Sequence, residues 1–176
     1  MNDNTIVIIT HSAEETEALG ARLARSLGDQ RFVAFYGTLG AGKTAFTRGM
    51  ASALCPSAPV QSPTYTIINE YKHNGKTAMV HVDAYRVNDD DDLYSTGFYD
   101  CMEYESCVCA VEWCEKIPFA IPEDAVKVTI EHIFDNESAS ANSTLPCGEE
   151  DSEAVTEDAP CGSRRITIEN LRGALN

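Results

Sequence analysis

The sequence predicts an α/β fold: a mixed β-sheet flanked by helices, in a single domain over residues 1–176. Three observations predict it. Apolar runs such as Phe32–Tyr36 and Cys107–Val111 have the unbroken hydrophobicity of strands covered on both faces. Segments of helical spacing fall between such runs, as at Ala18, Leu19, Leu23 and Leu27. Two further β-rich runs, Tyr65–Tyr71 and Thr77–Val82, flank His73-Asn74-Gly75-Lys76, which reads as a turn. That hairpin makes the sheet mixed rather than purely parallel.

In chain order, Thr5–Ile9 reads as a short strand. Ser12-Ala13-Glu14-Glu15 has a capping-box pattern, so a helix runs from about Ala13 to Leu27 and stops at Gly28. Phe32–Tyr36 is a central strand, and the helix beyond Thr44 ends near Cys55-Pro56. Ser57-Ala58-Pro59 is a loop before the hairpin. The four aspartates of Asn88–Asp92 suit a helix start, where negative charge meets the positive end of the dipole. Leu93–Tyr104 is helical with a break at Gly97, and Cys107–Val111 is the next buried strand. Pro118–Pro122 is a loop. Val126–Ile130 alternates as a strand that extends toward Phe134. It forms a hairpin with Arg165–Glu169 across a long acidic connection, and Leu171–Leu175 closes the chain.

Between the central strand and its helix lies Gly37–Thr44, GTLGAGKT. A G-x-x-x-x-G-K-[ST] match with a strand before it and a helix after it is a phosphate loop. Its glycines let the backbone approach a ligand closely, and successive N–H groups converge on phosphate oxygens at the positive helix end. Leu39, Gly40, Ala41, Gly42, Lys43 and Thr44 are the candidate nucleotide contacts. Lys43 is expected to reach the β- and γ-phosphates, and the Thr44 hydroxyl to bind Mg²⁺. The fold expectation becomes a P-loop NTPase-like mixed sheet.

Two acids end apolar strands. Asp83 closes Thr77–Val82 in the Walker B manner, near the Mg²⁺ directly or through water, although a turn role is also open. Glu112 follows Cys107–Val111, and ligands of α/β sheets bind beyond the carboxyl ends of the strands. Glu112 is therefore a metal ligand or the group that orients water, with a surface salt bridge as the bland alternative. Trp113, the one tryptophan, reads equally as a core or lid anchor and as a contact to nucleotide or partner.

Composition bounds the partners. No apolar run approaches a membrane span and no secretory leader is seen, so the chain reads as soluble and cytoplasmic. The net charge of −15 repels phosphate backbones and argues against independent tight binding to nucleic acid. Eight acids and no Lys or Arg lie in 135–163, an acidic Ser/Ala/Glu stretch whose composition suits a flexible insertion. Seven cysteines without a C-x-x-C pair read as reduced thiols, several of them buried, rather than a zinc site.

GTLGAGKTAFTRG, SPTYTIINEY, HVDAYRV and VEW, in that order, resemble the TsaE (YjeE) family of bacterial ATPases, with the match covering about Ile6 to Ile130. That resemblance implies binding and hydrolysis of ATP with Mg²⁺, in making threonylcarbamoyladenosine next to the anticodon of tRNAs. It implies the proteins TsaB and TsaD as partners, with tRNA met only through that complex. It assigns Thr44 and Glu112 as Mg²⁺ ligands and Asp83 as the Walker B acid, and it places Ser12 near the nucleotide. Ser62-Pro63-Thr64 resembles the family's switch-like segment, with Thr64 sensing the γ-phosphate. Asp83, Glu112 and Thr64 are thus the expected catalytic group. Cys114 stands where the family often has proline, and the acidic stretch departs from the compact family pattern.

Two other classes fit a phosphate loop. A small-molecule kinase would add an Arg-rich lid, and no basic cluster follows the Walker B strand. A nucleotide-sensing module would bind ATP without needing to turn it over.

Overall fold

A computed structural model describes residues 5–56, 58–61, 63, 66–104, 106–133 and 162–175. Strands β1 (Ile6–Thr10), β2 (Phe32–Tyr36), β3 (Ile68–His73), β4 (Lys76–Asp83), β5 (Val108–Glu112), β6 (Val126–Ile133) and β7 (Ser163–Glu169) form one sheet in the order β1-β7-β6-β2-β5-β4-β3. The pairs β2/β5, β2/β6 and β4/β5 are parallel, and β1/β7, β6/β7 and β3/β4 are antiparallel. The sheet is mixed, as the hairpin required. Asn74 and Gly75, both at positive φ, make that hairpin's two-residue turn.

Helices α1 (Ala13–Ser26) and α2 (Lys43–Leu54) cover one face. Beneath them lies a core containing Leu23, Phe46, Met50, Val33, Phe35, Val128 and Ile166. Helices α3 (Asp90–Ser95) and α4 (Phe98–Met102) pack on the other face over Phe32, Ala34, Val80, Val82 and Val111. Phe35 meets Phe46 edge to face on one side of β2, and Phe32 meets Phe98 on the other. The alternation of β2 explains why both faces are apolar.

The capping signals act as the residues suggest. Ser12 Oγ accepts from the Glu15 N–H, while the Glu15 carboxylate accepts from the His11 N–H rather than that of Ser12. Asp89 caps α3 by accepting from the Asp92 N–H, and Gly97 separates α3 from α4 in a left-handed conformation. Cys101, Cys107, Cys109 and Cys114 all lie in the second core. Burial pushes the Cys107 thiol up to about 11 and raises those of Cys109 and Cys114 well above the ordinary thiol range.

Three expectations change. The first hairpin strand begins at Ile68 rather than Tyr65, because Ile67 takes φ 66° and a left-handed residue cannot continue a strand. Pro118–Ala120 is a single 3₁₀ turn and not plain loop, and Cys114–Lys116 is another. Ser163, placed in the acidic connection, already belongs to β7 and pairs with Ile133. The remainder of that stretch to residue 161 lies outside the described residues. Among the described residues, no helix is long and apolar enough to cross a membrane.

Helices α1 and α2 meet through glycine. A Cβ on Gly49 would stand 1.9 Å from the Glu17 carbonyl oxygen, and one on Gly20 would stand 2.1 Å from that of Phe46. Alanine is worth about 1 kcal/mol over glycine inside a helix. Overpacking against rigid backbone costs ~1–3 kcal/mol or more, so the clash wins. Gly49→Ala is expected to lower the urea midpoint with little change in the slope, a result that equilibrium denaturation checks directly.

Candidate functional site

The site forms where β2, β5 and β4 end. Parallel pairing aligns Phe35 with Glu112 and Glu112 with Asp83, so the two acids stand side by side at one level of the sheet. The phosphate loop leaves β2 at the same end and runs directly into α2. Two of its glycines are required by packing. Gly37 has φ 138°, and a Cβ there would lie 2.3 Å from the Ile130 carbonyl oxygen. Gly42 has φ 110°, and its Cβ would press on the Arg164 side chain at 3.0 Å.

The loop's carbonyls are turned into the protein. Lys43 Nζ donates to Gly37 O (2.7 Å) and Thr38 O (2.9 Å). His132 Nε2 donates to Gly40 O at 3.1 Å, Arg164 Nε to Ala41 O at 3.2 Å, and the Phe46 N–H to Gly42 O at 3.0 Å. Gly42 caps α2 without any side-chain acceptor, so among the described residues the first-turn N–H groups have no side-chain partner. A loop with these carbonyls already committed to protein donors and a helix start left uncapped is suited to an anion. The buried Arg164 guanidinium adds positive charge beneath it.

Lys43 is 4% exposed and lies 3.8 Å from the centroid of the Trp113 ring. Burial lowers its pKa, opposed by the charges of Glu112, Glu115 and Asp83. Trp113 reaches this position through a left-handed backbone, φ 64°, which is uncommon for a bulky residue and carries strain. Its ring also packs on Tyr85, with centroids 4.9 Å apart. Of the two roles open for Trp113 in the sequence, the half-buried stack on Lys43 puts it in the site wall.

Thr44 Oγ1 donates to Glu112 Oε1 at 3.0 Å, linking the loop to the strand-end acid. Glu112 is 3% exposed, which removes the surface salt-bridge reading. Asp83 is also buried, and its Oδ1 accepts from the Tyr85 N–H at 3.0 Å, so it serves the turn as well as facing the site. Mg²⁺ takes few protein ligands and keeps water or substrate phosphate oxygens in the rest of its shell. One hydroxyl and one or two carboxylates beside an anion loop therefore fit it. Among the described residues no group of three or more His, Cys, Asp or Glu forms a protein-only metal cage.

The other predicted residues fall as follows. Leu39 is at the loop's exposed tip and Ala41 is buried in its base. Ser12 follows Thr10, which pairs with Arg164 beside the loop, but its hydroxyl is spent on the α1 cap. Ser62 and Thr64 lie outside the described residues. Ile67 itself is held beside Asp83, whose N–H donates to its carbonyl at 2.8 Å.

Two residues escaped the sequence reading. His81 is fully buried and its Nε2 lies 2.8 Å from Glu112 Oε1. The one signal for it was a polar residue two places before Asp83 in an apolar strand. Arg164 lies beyond the acidic stretch, where no motif marked it.

A family model described as threonylcarbamoyl adenosine biosynthesis protein TsaE matches residues 10–140. The tRNA threonylcarbamoyladenosine biosynthesis protein TsaE of Treponema pallidum is 32% identical over 127 residues, 72% of this chain and 92% of that one. The protein of the same name from Bacillus subtilis is 35% identical over 129 residues, 73% of this chain and 78% of the relative. The crystal structure of Bacillus subtilis YdiB resembles the fold with a TM-score of 0.61 at 25% identity, over 97% of this chain and 88% of the other.

Proposed function

The chain belongs to the TsaE family of threonylcarbamoyladenosine biosynthesis proteins, and from that premise we propose that it is a Mg²⁺-dependent ATPase serving tRNA modification together with TsaB and TsaD. The observation that carries the reading is the Thr44–Glu112 hydrogen bond, which joins the phosphate loop to a buried strand-end carboxylate.

The loop N–H groups and Lys43 would hold the phosphates, and Thr44 with Glu112 would hold the metal. Held there by Thr44 and Glu112, Mg²⁺ would supply positive charge to offset the negative charge that develops on the phosphates during transfer. Asp83, paired in register with Glu112, would act near the metal, directly or through water. Thr64 is proposed to follow the γ-phosphate. The strong negative charge of the chain suits a component that leaves tRNA contact to its partners.

ATP hydrolysis measured with and without the TsaB–TsaD pair tests the reading. Slow turnover alone and faster turnover with the pair are expected. No stimulation by the pair would refute the proposed partnership, and no hydrolysis in either state would refute the ATPase.

A further inference from the structure

We infer that His81 is a positioning residue for Glu112, holding one carboxylate oxygen so that the other is presented to the metal. The inference rests on the nucleotide reading above and adds a residue to it.

Strand geometry creates the contact. His81 pairs directly with Ala110 on β5, and Glu112 lies two residues further along the same face. The small Ala110 side chain leaves room for the imidazole to lean diagonally toward the carboxylate. Nε2 ends 2.8 Å from Glu112 Oε1, the same oxygen that accepts from Thr44 Oγ1 at 3.0 Å. Because a carboxylate only accepts, Nε2 carries the proton in this contact. Both hydrogen bonds fall on Oε1, and among the described residues none falls on Oε2. The carboxylate is therefore held through one oxygen, with the other left for a cation.

A second observation separates this role from ordinary packing. His81 is completely buried, yet among the described residues its Nδ1 has no hydrogen-bond partner. A buried unpaired nitrogen destabilises a fold, and an aliphatic residue between Val80 and Val82 would avoid it. That cost accompanies one hydrogen bond among the described residues, the one to Glu112, so the imidazole acts on that carboxylate. Groups that orient a metal's ligands typically change metal affinity by about 10–100-fold when removed.

The test compares wild type with His81→Leu and His81→Gln, whose amide can still donate toward Glu112. A non-hydrolysable ATP analogue is titrated by calorimetry, in EDTA and across a Mg²⁺ series, and thermal unfolding is followed in parallel. His81→Leu is expected to raise the Mg²⁺ concentration needed for half-maximal enhancement of binding about tenfold. Its affinity in EDTA should stay within about twofold, while a lower Tm reports the lost hydrogen bond separately. His81→Gln should restore most of the Mg²⁺ response. Should the Leu variant not fold, His81→Asn replaces it, since its shorter amide cannot span to Glu112. An unchanged Mg²⁺ response, or an equal loss in EDTA, would overturn the positioning role. Wild-type protein that binds no analogue at all would instead overturn the nucleotide site on which the inference stands.

Discussion

Lys43→Ala is expected to weaken ATP binding about ten- to a hundredfold while leaving the fold intact. Charge-assisted hydrogen bonds contribute ~1.5–3 kcal/mol each, and ~1.4 kcal/mol is a factor of ten in affinity. The ammonium is already desolvated at the base of the loop, with burial pulling its pKa down. A phosphate brought to it thus meets a cation whose hydration has been stripped in advance, which favours preorganised binding. The variant also frees Gly37 O and Thr38 O, the two carbonyls that Lys43 now holds. Loop order should therefore fall together with affinity. Trp113 supplies an internal reporter, because the chain's one tryptophan lies against that ammonium. Its emission should respond to ATP in wild type and hardly at all in the variant. Calorimetry gives the affinity, and circular dichroism checks the fold. Unchanged ATP affinity would remove Lys43 from the site.

What could be read from the sequence follows from how local each signal is. The phosphate loop, its strand and its helix are contiguous, and glycine spacing announces them. Asp83 and Glu112 were legible because each ends an apolar run, and parallel pairing then brings them to one level. Strand order was not legible. The edge strand β1 pairs with β7, more than 150 residues away, and no periodicity encodes that choice. His81 was hidden because its meaning depends on Ala110 opposite it, a cross-strand relation. Arg164 reaches the loop only after β7 has paired with β6. The left-handed backbone of Trp113 contradicts local preference, as strained residues at functional sites often do. Gly20 and Gly49 read as weak points in helices until the two helices are seen to touch there.

Glu112→Gln is expected to retain ATP binding and lose hydrolysis by about 10²–10³-fold, the usual scale for removing one group that stabilises developing charge. Glutamine preserves the shape, and its carbonyl oxygen can still accept from both Thr44 and His81, so the packing should survive. What disappears is the negative charge, and the other position becomes an N–H₂ donor aimed where a cation would sit. Weaker response to Mg²⁺ with unchanged stability is the expected pattern. Glu112→Ala should behave differently. It strips the acceptor from two donors at once and leaves both ring nitrogens of buried His81 unpaired, a loss of about 1–3 kcal/mol per orphaned group. Only the glutamine variant therefore isolates charge from packing. Asp83→Asn completes the comparison, because asparagine keeps an oxygen for the Tyr85 N–H while removing the charge. Single-turnover hydrolysis across a Mg²⁺ series separates the two acids. If Glu112 holds the metal, its variant shifts the Mg²⁺ requirement, and the Asp83 variant lowers the rate at saturating Mg²⁺. The reverse result would assign the metal to Asp83 and leave Glu112 to orient water, with the Thr44 hydrogen bond then serving to brace the loop.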